Sequence, residues 1–440
     1  MKLFFCLKYF LPGQVAGTEI YVAALAKGLI EKGYDVTVIK PGYTISDTSS
    51  YFYEGIRVLE YPESPVSDAA MQTGKRYPPG IKAFRTLLEA EQPDIIHFQE
   101  ISGSNGITTE HIRVAAALGI RIFTSFHLTR YVCKRSSLLF KGSAPCDGVV
   151  KNTKCSICLL QEKGVALPIA YAAAYTGEVL RRTGADFSES KNPAGKLLQY
   201  PAYIDAHKKA LHEMVMLSEQ TIALNHWFGK MLQLNGLPAE KLTVIPNRIP
   251  FMTEKNVPAK EQHHAGIKLV FIGRICRIKG LKPLIDAFIS IGNENTSLDI
   301  YGKVTEEDYY NECLSLANDH TGIRWKGVAS PSDIVSLIAE YDLLVFPSQV
   351  EEMSPFTIAE SFAAGVPVLA SDLKASREQI TDGRNGWLFP YRENNALGKQ
   401  LKFLTDNPQL LAEARQHIPA ARLFGEVVDA HLQLYGASRS

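Results

Sequence analysis

A chain of 440 residues with 47 basic and 46 acidic side chains has a formal charge of +1, so no bulk field marks it for nucleic acid or a polyanionic partner. The length exceeds one typical core and points to two domains or three, and no apolar run approaches a membrane-spanning helix; the most apolar helical stretch, from Val165, is short and rich in alanine. Seven cysteines in a chain of this size are no secreted disulfide framework, and the odd number favours free thiols.

The opening MKLFFCLKYFLPG reads as a first strand and not a signal peptide, because Lys8 interrupts the apolar run and no small-residue cleavage pattern follows. A cytoplasmic protein is expected, with at most peripheral contact at the inner face of a membrane. After the strand at 2–7, a loop with Gly13 and Gly17 leads into helical spacing that ends at Gly33, and YDVTVI supplies a second strand. This is the opening of a parallel α/β sheet whose first loop can bring backbone N–H groups close to a ligand. The spacing G-x-G-x-x-G is absent and no acid ends the second strand, which argues against a dinucleotide.

Strands at 56–61, 93–98 and 120–126 alternate with helical patterns. His97 and His127 fall at or just past strand carboxyl ends, where ligands collect in open α/β sheets. A lone histidine is more often a packing or capping residue, but two at matching positions narrow that difference, and His127 is the better candidate of the two. From 130 to 165 the pattern lapses into an excursion holding Cys133, Cys146, Cys155 and Cys158. Four thiolates can bind Zn²⁺ as a structural site, and reduced, partly buried thiols fit equally well; no paired base supports a nucleophile. Stretches 221–227 and 242–250 read as the last strands of this half, and 251–265 as a linker.

KLVFIGR at 268–274 restarts the α/β pattern, with further strands in SLDIYGK, GIRWKGV, DLLVFPS, PVLASD and GWLFP. The loop GRICRIKG carries Arg274, Arg277, Lys279 and Gly280 ahead of a helix. It is either a solvated basic turn or a phosphate site built from guanidinium, ammonium and backbone N–H groups. In VFPSQVEEMSPFTIAESFAAGVPVLASD, Ser354 reads as the N-cap, Pro355 as the first helical residue and Gly365 as the stop. Glu352 then lies in the loop before the helix and Glu360 lies within it, roughly 7 Å beyond Pro355 along the axis. The free N–H groups between the two carboxylates favour an anion. Both elements follow strands of one sheet and open on the same edge, which tips the balance toward phosphate binding.

Taken in order, AGTE at 16–19, PDIIH at 93–97, IPNR at 245–248, FIGRICRIKG at 271–280, VFPS at 345–348, EEMSPFTIAE at 351–360, AAGVPVLASD and DGRNGWLFP resemble the retaining GT-B glycosyltransferases of family four, the group 1 type. The resemblance implies an α/β fold of two Rossmann-like domains with parallel sheets facing across a cleft. Residues 1–250 would be the acceptor-side domain, 266–420 the nucleotide-sugar-binding domain, and 421–440 a helix returning to the first. It implies that Arg274 and Lys279 hold the donor diphosphate and Glu360 the ribose hydroxyls, while Glu352 and His127 touch the transferred sugar. Gly17, Gly273, Phe356 and Thr357 would bring backbone to the nucleotide. It further implies transfer of a hexose-type sugar, with retention, from a UDP- or GDP-sugar to a glycan, lipid-linked or small-molecule acceptor in polysaccharide biosynthesis, with no cofactor or essential metal. Three positions depart from the family pattern: Ala16 replaces a glycine, Glu352-Met353-Ser354-Pro355 replaces Glu-Gly-Phe-Gly, and Arg248 follows Asn247. The competing readings are a glycosidase using Glu352 and Glu360, a non-catalytic nucleotide-sugar-binding partner in glycan assembly, and a GT-B nucleotide-sugar epimerase.

Overall fold

The computed structural model describes residues 1–65, 71, 76–101, 106–187, 190–250, 266–318 and 320–437; the expected linker, 251–265, lies outside them. The chain forms two units, Met1–Pro246 with Val427–Ser440, and Asn247–Glu426.

In the first unit eight strands form one sheet: β1 (Lys2–Cys6), β2 (Asp35–Gly42), β3 (Ser49–Tyr53), β4 (Ile56–Pro62), β5 (Ile95–Phe98), β6 (Arg121–Phe126) and, past the small hairpin β7 (Leu139–Phe140) and β8 (Ala144–Pro145), β9 (Gln220–Ala223) and β10 (Leu242–Val244). The order is β10-β9-β6-β5-β1-β2-β4-β3. All pairs are parallel except β3 with β4. β1 and β5 are buried on both faces, as strands covered by helices must be, so their sequences are continuous apolar runs. β3 is an edge strand with alternating exposure, and its SSYFY pattern carries too little apolar signal to announce it.

Two expected strands are shorter than the sequence suggested. The one at 221–227 ends at Ala223, because Asn225 caps a helix by accepting the Phe228 N–H at 2.8 Å. The one at 242–250 ends at Val244, just before Pro246, which has no N–H to donate to a ladder. The excursion is also more ordered than expected, since Cys155 and Cys158 lie on the helix Asn152–Glu162.

The last helix, Gly425–Ala437, contributes its residues from Val427 onward to the first unit. Its Tyr435 hydroxyl meets His97 Nδ1 at 2.7 Å, and Arg121 donates to the Tyr435 carbonyl at 3.0 Å. A Cβ on Gly28 would fall 2.5 Å from Val428 Cγ2, so glycine there permits the close approach.

The second unit has six parallel strands, β11 (Ile267–Ile272), β12 (Thr296–Tyr301), β13 (Ile323–Trp325), β14 (Leu343–Phe346), β15 (Val368–Ser371) and β16 (Gly386–Phe389), in the order β13-β12-β11-β14-β15-β16. Leu269 and Phe271 enter one core with Leu284, Phe288 and Leu401, while Val270 enters another with Leu344 and Ile358. That is the period of two along β11, and helices cover both faces.

Among the parallel strands of each sheet the order switches direction at one pair, β1 beside β5 and β11 beside β14. Loops leaving the carboxyl ends of such neighbours diverge to opposite faces and leave a crevice between them. The loops after β1, β5, β11 and β14 carry most of the residues singled out from sequence.

Candidate functional site

In the second unit the loop after β11 is locked to the loop after β14. Gly280 has φ +72°, and a Cβ there would lie 1.9 Å from the Pro347 carbonyl oxygen, so only glycine fits. The Gln349 N–H donates to the Ile278 carbonyl at 2.8 Å, and the Ser348 hydroxyl reaches the same carbonyl at 3.2 Å. Next to this seam, Lys279 Nζ donates to both oxygens of Glu352 at 2.8 and 2.7 Å, and Ser348 Oγ donates to Glu352 Oε1 at 2.6 Å. Two residues taken separately from the sequence are thus one half-buried ion pair. Gly273 lies where β11 ends against β12, and its carbonyl oxygen would be 1.8 Å from a Cβ on Gly302.

The three cations of this loop have different fates. Lys279 is taken by Glu352, and Arg277 turns outward to pair with Glu312. Arg274 is exposed, and its guanidinium makes no ion pair or hydrogen bond among the described residues. It is the cation of the set left open to an anion.

The helix after β14 runs Phe356–Ala363, one residue later than expected. Pro355 has ψ 117°, which is extended, so it is the N-cap residue, and Ser354 does not cap. No side chain caps this end, so the N–H groups of Phe356 and Thr357 remain available as first-turn donors. Glu360, in the second turn, is buried, with no hydrogen-bond or ion-pair partner for its carboxyl among the described residues. Burial pushes its pKa up from 4.5 to about 7. The paired Glu352 and solitary Glu360 therefore occupy different electrostatic settings. Glu351, which sequence reasoning passed over, accepts the Lys374 N–H at 2.9 Å and ties in the next helix.

In the first unit Gly17 opens the helix Gly17–Glu31 and is exposed. Ala16 is the N-cap residue at φ −149°, an extended geometry open to any residue, so its replacement of a glycine costs nothing here. His127 Nε2 lies 2.8 Å from Gln99 Oε1, and Tyr21 stands edge-on to the ring at 4.9 Å. With Nε2 donating to Gln99, Nδ1 is left as an acceptor. Burial, aided by His431, lowers the His127 pKa to about 3, so the imidazole is neutral near pH 7 and is not a general acid. His97 is occupied on both sides, by Tyr435 and by Ser125 Oγ at 2.8 Å, which makes it a packing histidine.

Beside His127 stand polar groups that sequence reasoning did not single out. Glu19 is 2% exposed, accepts from Gln14 at 3.2 Å, and has its other oxygen unpartnered among the described residues. Burial foremost, with Glu100 adding repulsion, raises its pKa to about 7. The signal was available, since Glu19 ends AGTE and Gln99-Glu100 follows β5 directly.

Cys133, Cys146, Cys155 and Cys158 are free thiols. Lys141 N–H donates to Cys158 Sγ at 3.2 Å, and burial raises Cys155 to about 11. Among the described residues no three His, Cys, Asp or Glu side chains are placed to hold one metal ion, so as arranged the four cysteines do not fit a zinc centre.

Two Rossmann-like units with their switch-point loops built in this way define a GT-B fold. Residues 253–422 match the family described as Glycosyl transferases group 1, and residues 15–155 match Glycosyltransferase Family 4. The chain belongs to the group 1 glycosyltransferases of GT-B fold. It is 24% identical to the amylovoran biosynthesis glycosyltransferase AmsK of Erwinia amylovora over 51% of this chain and 60% of that protein. It is also 24% identical to an uncharacterized glycosyltransferase of Methanocaldococcus jannaschii over 86% of this chain and 83% of the other. The crystal structure of Anabaena HepE in complex with UDP superposes with a TM-score of 0.62 at 14% identity, covering all of both chains, and so shares the fold. No helix among the described residues is long and apolar enough to cross a membrane.

Proposed function

We propose that this protein is a retaining, metal-independent glycosyltransferase that moves a hexose-type sugar from a UDP- or GDP-sugar to a glycan, lipid-linked or small-molecule acceptor. The observation that carries the reading is the convergence at the β11/β14 switch point of Arg274, unpaired among the described residues, with an uncapped helix start at Phe356 and Thr357. Departure of a nucleoside diphosphate builds negative charge on phosphate oxygens while the sugar becomes oxocarbenium-like. A fixed guanidinium and oriented N–H groups are complementary to that change and lower the barrier. The UDP complex of the Anabaena structure supports a uridine donor. The Erwinia relative's part in amylovoran biosynthesis supports a glycan acceptor.

In this reading Glu360 accepts hydrogen bonds from the ribose hydroxyls, which gives partners to a carboxylate that has none among the described residues. Glu352 receives hydroxyls of the transferred sugar while Lys279 holds it in place and faces the diphosphate. Gly17 and Gly273 allow close backbone approach. His127, neutral and held by Gln99, offers Nδ1 to a sugar hydroxyl. The acceptor attacks from the side of the leaving group, whose phosphate oxygen takes the acceptor proton, so the anomeric configuration is kept. The test is acceptor-dependent release of UDP or GDP in the presence of a chelator, with NMR assignment of the new anomeric centre. Release of an isomerised sugar nucleotide, or donor binding with no turnover over a broad acceptor panel, would refute it.

A further inference from the structure

In the first unit the helix Leu167–Arg182 carries small residues inside and large apolar ones outside. Ala170, Ala173, Ala174 and Gly177 are buried where it packs against the helices Asn152–Glu162, Pro193–Leu198 and Tyr200–Leu217. Facing out, Leu167 is 39% exposed, Ile169 53%, Tyr171 40%, Tyr175 58% and Val179 61%. Leu167, Tyr171, Tyr175 and Val179 recur every four residues and so form one stripe. The Tyr171 and Tyr175 rings stack at 6.4 Å, 10° from parallel. Between Leu167 and Val179 the one charged residue is Glu178, which is buried, so the outward side is uncharged for three turns. The solvent side of a surface helix is ordinarily charged or polar, and an apolar stripe in its place marks an interaction surface.

Cations border the stripe. Lys141, in the turn between β7 and β8, holds its Nζ 5.4 Å from the Tyr171 ring centre. Lys163 precedes the helix and Arg182 ends it, while Lys196 lies on the adjoining helix Pro193–Leu198 with Lys191 just before it. Lys163, Lys191 and Lys196 are exposed, and neither they nor Lys141 have an ion-pair partner among the described residues. Residues 127–182 carry nine basic and three acidic side chains in a chain of net charge +1. All three acids are engaged within that span: Asp147 with Lys154, Glu162 with Arg135, and Glu178 with both Arg181 and Arg182. Two copies joined through the stripe by a twofold axis would set this basic border against itself, whereas an anionic surface is attracted to it.

We propose that the outward stripe of this helix is a peripheral contact for a membrane surface bearing anionic phospholipid headgroups. At 1.5 Å per residue the 16 residues span roughly 24 Å, short of a hydrocarbon core of about 30 Å, and the inward side is fixed to the unit, so the helix lies along the surface. Leu167, Ile169 and Val179 enter the acyl boundary, the two tyrosines sit at headgroup depth with their hydroxyls toward water, and the bordering lysines meet the headgroup phosphates. Neither part suffices alone: the apolar stripe supplies the insertion, and the cations select the charge of the surface. The contact does not rest on the donor chemistry proposed above, and it belongs to the first unit alone.

The test is flotation of the full-length chain with vesicles of phosphatidylcholine alone or containing roughly one third phosphatidylglycerol. Binding to the anionic vesicles is expected at low salt, weaker binding at high salt, and a loss of about tenfold or more in the double variant Tyr175→Ser, Val179→Ser. Both side chains are more than half exposed, so the variant should melt with its parent, which separates a lost contact from a lost fold. Lys163→Glu with Lys196→Glu should weaken binding to the anionic vesicles while leaving the stripe intact. Tyr175→Trp reports the place directly, since its added emission should shift to the blue when anionic vesicles are supplied. A parent that floats with neither vesicle, a Tyr175→Ser, Val179→Ser variant that floats as well as its parent, or a Tyr175→Trp emission unmoved by vesicles would overturn the proposal. So would a parent that sediments as a dimer, becomes monomeric with the double substitution and ignores vesicles, which would make the stripe a self-association surface. Nucleotide-sugar binding, scored in the same variants, is expected to be unchanged, so failure of the membrane contact and failure of the glycosyltransferase reading are distinguishable.

Discussion

Replacing Glu360 by glutamine separates a carboxyl kept for packing from one kept for a ligand. The side chain is buried without a partner among the described residues, and its pKa rises from 4.5 to about 7 because burial disfavours the charge. Between those values the folded chain binds more protons than the unfolded one, so this group makes stability fall as pH rises. A shift of that size amounts to about 3 kcal/mol against the ionised fold at alkaline pH, as an upper figure. Roughly 2 kcal/mol of it should develop between about pH 5 and about pH 8, or about 4–8 °C in the melting of a unit of this size. Glu360→Gln removes the titration but keeps the shape. Thermal unfolding without ligand should show the variant gaining on the parent by that margin as pH rises; Glu19, which shifts the same way, is unchanged in both and cancels. Nucleotide-sugar affinity should fall about tenfold or more, since the carboxylate is replaced by a weaker acceptor. A variant that tracks its parent in melting at every pH and binds donor equally well would refute both the assigned burial and the ribose role.

Other substitutions test the rest of the site. Gly280→Ala combines a left-handed backbone with a Cβ 1.9 Å from the Pro347 oxygen, so it should lose about 2 kcal/mol or more in chemical denaturation and abolish transfer. Lys279→Met leaves Glu352 without its ammonium and should lower both melting temperature and donor affinity; adding Glu352→Gln should restore much of the stability and none of the turnover, a coupling read from the double-mutant cycle. Transfer measured after exhaustive chelation should be unchanged, and recovery of activity only on adding a divalent cation would contradict the metal-independent reading.

The fold was legible because its parallel strands are buried on both faces and appear as short apolar runs between loops. Each strand of the second unit was foreseen to within a few residues for that reason. What the sequence hid was pairing. Glu352 and Glu360 look alike as letters, yet one is neutralised by Lys279 and the other has no partner among the described residues. Arg274 and Arg277 look alike too, and only the position of Glu312 shows that Arg277 turns away. The helix start moved one residue because Pro355 fits a first helical position and an N-cap equally well on local preference, and tertiary packing set its ψ. Glu19 and Gln99 escaped notice because the loops after β1, β5 and β6 come together only once those strands are assembled side by side. The four cysteines gave the opposite lesson, since the thiols interact with one another and yet, among the described residues, no three are placed to hold one metal ion.

The most direct test of the central claim is thermal shift of the intact protein against a panel of UDP- and GDP-sugars, repeated with Arg274→Ala. The account predicts that at least one of these donors raises the melting temperature and that the substitution removes the effect. No stabilisation by any donor, or an undiminished shift in the Arg274→Ala variant, would contradict it.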